Sequence, residues 1–170
     1  MNVSDTIRTK RAIREFADQA LPDQVVTAIL DAGRRSQSSK NTQPWHFIAI
    51  RDRDTLRALS QLGAYAGHLA GAPLGVVIVT PPLDPGGWIM FDAGQAAAYM
   101  QLAAWGLGVG SCIASIYEPQ RARELLGVPA GMELHVAISF GYPAASASQP
   151  RRARPGGRRP LDEVVHWDRW

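Results

Sequence analysis

Apolar positions along the chain alternate between helical spacing and short unbroken runs, which predicts a protein that mixes helices and strands. Between Pro22 and Gly33 the apolar residues follow the i, i+1, i+4, i+5 pattern of one helix face, and proline and glycine suit the two helix ends. The alanine-rich run "FDAGQAAAYMQLAAWGLG" predicts a long helix, buried on more than one face, that ends at Gly106 or Gly108.

Strands are predicted where apolar residues run together. "WHFIAI", "GVVIVT" and "MELHVAISF" predict three buried strands, and "VGSCIAS" is a shorter strand-like run. Further helices are predicted over "VSDTIRTK", with Ser4 or Asp5 as the N-cap, over "RDTLRALSQL" and over "EPQRARELLG". Helices and strands therefore alternate as in an α/β or α+β protein. Three clear strands are few for a sheet that is stable by itself.

The C-terminal segment has an unusual composition. "AASASQPRRARPGGRRP" is poor in hydrophobic residues, yet apolar side chains follow it at Leu161, Val164, Val165, Trp167 and Trp170. An apolar end beyond a polar stretch indicates docking on a neighbouring subunit, and hence a homodimer with exchanged arms. The alternative is a tail that folds back on its own subunit. We divide the single domain into a core, residues 1–143, and an arm, residues 144–170.

Composition restricts the class of protein. A chain of 170 residues with 46% hydrophobic and 19% charged residues is one globular domain. It contains no run of about 18 apolar residues, so no membrane span is expected. The N-terminal stretch lacks the apolar core of a signal peptide, and Cys112, the only cysteine, cannot form an internal disulfide. We therefore expect a cytoplasmic protein.

Positive charge is concentrated at the two ends of the chain. The net charge is only +3, but Arg8, Lys10, Arg11 and Arg14 lie near one end, and Arg151, Arg152, Arg154, Arg158 and Arg159 lie near the other. Both clusters could be solvated arms, or both could converge on one anion. Nucleic-acid binding by the second cluster is a weaker alternative, because no aromatic residues are interleaved with its arginines.

Standard catalytic motifs are absent from the sequence. No two of the four histidines have metal-ligand spacing, and no nucleophile elbow, P-loop or G-x-G-x-x-G motif occurs. "GLGVG" follows a predicted helix, whereas a dinucleotide-binding loop follows a strand. We expect neither a metal site nor a catalytic side chain. If the protein is an enzyme, a cofactor carries the chemistry.

Two segments have the chemistry that a phosphorylated, planar cofactor requires. Lys10 and Arg14 share a face whether their segment is helical or extended, so both can reach one phosphate. In "SQSSKNTQPWHF" the amides of Asn41 and Gln43 each offer a donor and an acceptor, which suits the edge of a pyrimidine-like ring. Pro44 is expected to hold Gln43 in extended geometry.

The same segments resemble motifs of the nitroreductase family of FMN flavoproteins. "TKRAIREF" is similar to R-R-S-x-R-x-F, and "SQSSKNTQPWHF" is similar to A-P-S-x-x-N-x-Q-P-W-x-F. "FDAGQAAAYMQLAAWGLGVGSC" resembles the family's D-x-G and L-A-A-x-x-x-G-L-G segment, and "FGYPA" and "RRPLDEVV" resemble its closing motifs. The resemblance extends over nearly the whole chain with the motifs in order, and N-x-Q-P-W is its most specific element.

The resemblance implies an α+β fold with a central, mostly antiparallel sheet flanked by helices, built as an intertwined homodimer with an exchanged C-terminal arm. It also implies FMN sites at the subunit interface. Lys10, Arg11, Ala12 and Arg14 would follow the phosphate and ribityl chain; Ser38, Ser39 and Asn41 would come from the partner subunit, and Gln43 would reach the ring edge. The main chain of Ile113, Ala114 and Ser115 would lie near flavin N5. Arg158 and Arg159 would return from the arm to the phosphate. Arg35 is the last of the candidate cofactor-binding residues.

The implied reaction passes a hydride from NADH or NADPH through flavin N5 to an electron-poor acceptor, by ping-pong. The segment 83–91 is the candidate lid, in which Trp88 and Phe91 select flat acceptors, and Tyr65 is a weaker candidate. Trp88 could instead be a dimer-packing residue. The family motif has arginine and serine where this chain has Lys10 and Ala12. These two differences predict weaker FMN binding. A flavin-binding redox sensor, or a specialised FMN enzyme of cofactor metabolism, is the alternative function.

Overall fold

A four-stranded antiparallel sheet forms the centre of the part of the chain that the structure describes. The computed structural model describes residues 2–148 and 157–170. The strands are β1 (His46–Ile50), β2 (Leu74–Thr80), β3 (Gly110–Ser115) and β4 (Glu133–Gly141), in the spatial order β1-β2-β4-β3. Each neighbouring pair is antiparallel. The α+β class is therefore confirmed, and the shorter strand-like run becomes β3, a full member of the sheet.

In the described ranges five α-helices surround the sheet: α1 (Val3–Thr9), α2 (Asp23–Arg34), α3 (Arg53–Ser60), α4 (Trp88–Gly106) and α5 (Pro119–Leu126). The predicted N-cap of α1 at Ser4 or Asp5 is wrong. Asn2 caps this helix, and its Oδ1 accepts a hydrogen bond of 2.9 Å from the main-chain N–H of Asp5. The long helix α4 begins at Trp88, three residues before the predicted start, because Asp84 accepts hydrogen bonds from the N–H groups of its first turn.

The two faces of the sheet are covered by different helices. On one face α2 and α4 pack against β2 and β4, around Ile29, Met100 and Phe140. On the other face Leu56 and Leu59 of α3 pack, together with α5, against the opposite side of the same strands. All seven residues of β2 are buried because this strand is central and covered on both faces.

The edge strand β1 is less buried than its sequence predicts. Of its five residues only Ile50 is buried, and His46 and Ala49 are exposed. β1 pairs only with β2, so its other side is open in the described chain. An open edge with apolar side chains is a place where another chain can add.

Several large apolar side chains are also exposed. Along α4 these include Trp88, Phe91 and Tyr99, of which Tyr99 is 38% exposed. In the C-terminal segment Leu161 and Trp170 are 73% and 99% exposed. The described part of the arm thus does not bury its apolar side chains on its own subunit. No helix in the described ranges is long and apolar enough to span a bilayer. Residues 149–156, with Arg151, Arg152 and Arg154, lie outside the described ranges.

Candidate functional site

The first basic cluster lies along the outer edge of β3. Lys10 ends α1 in an extended conformation, and Ala12 forms a parallel bridge to Ser111. The N–H of Ile13 donates to the carbonyl of Ser111 at 3.0 Å, and the Ile13 side chain is buried. Side chains alternate along an extended segment, so Lys10, Ala12 and Arg14 share the face opposite to Ile13. Of the two predicted geometries, the extended one is present.

The same hydrogen bond shows which main-chain groups of β3 point outward. Since the Ser111 carbonyl faces the basic segment, every second residue along β3 presents its N–H and C=O to that side. The N–H of Ile113 therefore faces the open edge of the sheet, where the described ranges contain no further strand. The Ile113 side chain is 43% exposed beside it. This edge can offer a main-chain hydrogen bond to a bound molecule.

Burial and positive charge both shift the pKa values of side chains along this edge. Burial lowers the pKa of Lys10. Burial also raises the pKa of the Cys112 thiol, and the positive charges of Arg14 and Lys10 oppose that rise. Both cations therefore lie close enough to act on the middle of β3. Cys112 is a protonated, buried side chain, and the two cations form a positive field over the strand.

The polar loop between α2 and β1 is held in a strained conformation. Lys40, Asn41 and Gln43 have φ values of 52°, 56° and 48°, in the left-handed region that non-glycine residues rarely occupy. The prediction that Pro44 holds Gln43 extended is therefore wrong. The Ser38 hydroxyl accepts a hydrogen bond of 2.9 Å from the Gln43 N–H, which stabilises the bend. Such outliers occur at binding sites, where the surrounding structure maintains them.

The strained loop is tethered to α4. The N–H of Ser39 donates to Oδ2 of Asp92 at 2.8 Å, and Asp92 is only 2% exposed. Within the loop the Gln43 side-chain amide donates to Oδ1 of Asn41 at 3.2 Å. The structure thus brings the predicted loop residues together. Asp92 was not among the predicted site residues, although it lies in the quoted "FDAG" motif.

The loop and the basic segment lie at opposite ends of α4 in one chain. Asp92 holds the loop near the start of the helix, whereas the Trp105 indole donates to the Thr9 hydroxyl at 2.9 Å near its end. Trp105 follows Asp92 by 13 positions, which corresponds to about 20 Å along a helix. One chain therefore does not place the loop beside Lys10.

The other residues predicted to bind the cofactor lie in different parts of the fold. Arg35 is exposed at the end of α2 and forms an ion pair with Asp31 at 2.5 Å. Arg158 and Arg159 are exposed, and no described contact joins them to the basic segment. Ala114 is buried, whereas Ser115 is exposed at the end of β3. Among the described residues, no group of three or more His, Cys, Asp or Glu side chains could hold a metal ion.

Exposed aromatic side chains are present at the predicted substrate positions. Tyr65 is 80% exposed, and Trp88 and Phe91 are 58% and 60% exposed. The rings of Trp88 and Phe91 meet edge to face with centroids 6.1 Å apart. Only the end of the predicted lid is helical, because α4 begins at Trp88. Tyr117, just beyond β3, is a further exposed aromatic residue.

Comparison with known proteins agrees with this fold. The model of the nitroreductase family matches residues 7–66 and 60–142. A relative from Archaeoglobus fulgidus, provisionally named an NADH dehydrogenase/NAD(P)H nitroreductase, is 34% identical over 81% of this chain and 83% of its own. The structure of an FMN-dependent nitroreductase from Clostridium difficile is 28% identical and has a TM-score of 0.82, covering 97% of this chain and 98% of its own. Nitroreductase A from Vibrio parahaemolyticus has a TM-score of 0.87 at 24% identity, covering 100% and 78%.

These matches define the class of protein as an oxidoreductase. The chain belongs to the nitroreductase family, since the family model covers most of its length.

Proposed function

We propose that this protein is an NAD(P)H-dependent FMN oxidoreductase that reduces electron-poor acceptors, such as nitroaromatics or quinones, by a ping-pong mechanism. The observation that carries the proposal is the basic segment lying along the open edge of β3. It combines phosphate-binding cations with a main-chain donor in one place. Two relatives support the assignment: the Clostridium difficile protein is named FMN-dependent, and a Thermus thermophilus relative, 25% identical over 93% of this chain, is named NADH dehydrogenase.

The donors at this edge suit FMN. Lys10 and Arg14 would hold the phosphate and the nearby polar chain, because both cations act on the middle of β3 and share one face. The outward N–H of Ile113 would donate to the edge of the flavin ring. Arg158 and Arg159 would reach the phosphate when the arm is docked. The missing hydroxyl at Ala12 leaves one contact unmade.

FMN, when bound, would supply a hydride-accepting centre at its N5 atom, so no protein nucleophile or metal is required. The chain's own residues would orient the partners of that exchange. Tyr65, Trp88 and Phe91 are exposed and planar, so they can stack against a nicotinamide or an aromatic acceptor. Since donor and acceptor would occupy the same aromatic-lined space in turn, the kinetic order is ping-pong.

A homodimer would complete each site. Within one chain the strained loop lies about 20 Å from the basic segment along α4, so Ser38, Ser39 and Asn41 would reach the flavin from the partner subunit. The exposed apolar side chains of α4 and of the C-terminal segment would be buried in such a dimer. The open edge of β1 is where the exchanged arm would dock.

Flavin binding by the purified protein tests the proposal directly. We expect FMN to bind with a flavin absorption spectrum that NADH or NADPH bleaches without oxygen, followed by rapid turnover with a quinone. Replacing both Lys10 and Arg14 with methionine should weaken FMN binding by about 100-fold or more, because each charge-assisted hydrogen bond contributes about 1.5–3 kcal/mol. Arg8→Met is the matched control, since Arg8 is exposed and pairs with Asp5. Wild-type protein that does not take up FMN would contradict the assignment.

The shared composition of each site can be tested by complementation. One variant carries Lys10→Met and Arg14→Met, and the other carries Asn41→Ala and Gln43→Ala. Neither homodimer should bind FMN tightly. A purified heterodimer should bind about one FMN tightly, because one of its sites receives both intact segments. Isothermal titration measures the stoichiometry. If both segments of a site came from one chain, the heterodimer would bind no FMN tightly.

A further inference from the structure

A buried histidine lies beneath β3 and has no role in the proposed reaction. His68 belongs to a short 3-10 helix, Gly67–Leu69, and is 8% exposed. Its Nδ1 lies 2.8 Å from the hydroxyl oxygen of Ser139 on β4. Its Nε2 is buried and has no hydrogen-bond partner among the described residues. A buried imidazole with one free nitrogen is costly to maintain, which calls for an explanation.

One arrangement of hydrogen bonds links this histidine to β3 through Ser139. The Ser139 hydroxyl oxygen lies 3.3 Å from the carbonyl oxygen of Cys112, to which it can donate its single proton. In that arrangement Nδ1 of His68 carries a proton and donates it to the Ser139 hydroxyl oxygen, 2.8 Å away. Burial lowers the pKa of His68, and the positive charge of Arg14 lowers it further, while the main chain of Ile113 acts in the opposite direction. Burial and the charge of Arg14 therefore both favour the neutral imidazole.

This chain of hydrogen bonds ends at the candidate cofactor edge. The carbonyl of Cys112 and the N–H of Ile113 belong to the same peptide unit and point in opposite directions across β3. The carbonyl faces β4, where it also meets its ladder partner Ser139, and the N–H faces the open edge. A hydrogen bond accepted by a peptide carbonyl polarises that peptide and makes its N–H a stronger donor.

We propose that His68 carries its proton on Nδ1 and is a positioning residue of the cofactor site, which acts through Ser139 to polarise the Cys112–Ile113 peptide and to strengthen the Ile113 N–H as a donor to the flavin ring edge. His68 touches neither cofactor nor substrate. The inference rests on the proposed function, because it assigns FMN to the edge of β3. It adds two buried residues from outside the predicted site, from the 3-10 helix at 67–69 and from β4.

Three variants test the hydrogen-bond chain. Ser139→Ala and His68→Leu both interrupt it, and each should weaken FMN binding about 3- to 10-fold, the equivalent of one net hydrogen bond. His68→Asn should bind nearly as wild type, because an asparagine side-chain amide can donate from the place of Nδ1. Ser60→Ala is the matched control: Ser60 is also buried, accepts from the Gln61 amide at 3.1 Å and donates to the Arg57 carbonyl at 2.7 Å, but it lies on α3.

Nuclear magnetic resonance gives a readout that does not depend on activity. The amide proton of Ile113 in the FMN-bound protein should move upfield in Ser139→Ala and His68→Leu, and should keep its wild-type position in His68→Asn and Ser60→Ala. The inference is overturned if wild-type protein binds FMN while Ser139→Ala leaves both the affinity and the Ile113 resonance unchanged. Wild-type protein that binds no FMN instead overturns the proposed function and, with it, this inference. Ser139→Ala removes only one oxygen atom, so this variant still tests the hydrogen-bond chain even if His68→Leu does not fold.

Discussion

Replacement of Asp92 with alanine is expected to weaken FMN binding about tenfold or more and to lower the free energy of unfolding by about 2 kcal/mol. Asp92 is buried on α4 and accepts the N–H of Ser39, and hydrogen bonds to charged groups contribute about 1.5–3 kcal/mol. The loop that it tethers contains three non-glycine residues with positive φ, each costing about 1–3 kcal/mol when unsupported. Without the tether, the loop would relax away from the conformation that presents Asn41 and Gln43.

Fluorescence titration with FMN and urea unfolding measure the two effects. Asp92→Asn should lie between wild type and Asp92→Ala, because an amide oxygen still accepts from Ser39 but carries no charge. Asp18→Ala is the matched control, since the Asp18 side chain is 94% exposed. If Asp92→Ala lost stability but bound FMN as wild type does, the loop would have no part in the cofactor site.

Local patterns in the sequence predicted most elements of this fold. Apolar runs located all four described strands, because each strand has its own run of hydrophobic residues that can be recognised without knowledge of its neighbours. The boundaries of helices were less accurate. Asn2 and Asp84 decide where α1 and α4 begin, and both lie outside the apolar patterns on which the prediction rested.

Tertiary contacts explain what the sequence did not predict. The burial of β1 was overestimated because its position at the sheet edge follows from strand order, which no local pattern contains. Gln43 has a positive φ because Ser38 and the tether at Asp92 hold the loop, and these contacts outweigh the preference of a residue before proline. Neither Asp92 nor His68 stood out as a site residue, since each acts on a partner more than 50 positions away in the chain.

The contact between the basic segment and β3 depends on the absence of a side chain at Gly110. A Cβ atom there would lie 2.6 Å from the Cβ of Ile13 and 2.7 Å from its Cγ1. The Ile13 Cβ is attached directly to the main chain, so a change of rotamer cannot move it away. Alanine at this position must therefore push the segment of Lys10 and Arg14 off the edge of β3, because both residues follow the path that Ile13 fixes.

Gly110→Ala is accordingly expected to weaken FMN binding about tenfold or more and to destabilise the fold by about 1–3 kcal/mol, the usual cost of overpacking. The loss of affinity has a geometric cause: the cations and the Ile113 N–H would no longer face the same bound molecule. Gly71→Ala is the matched control, because a Cβ at Gly71 meets no atom within 4 Å. The same titration and unfolding experiments compare the two variants. Equal FMN affinity in Gly110→Ala and Gly71→Ala would show that the cofactor does not bind between the basic segment and β3.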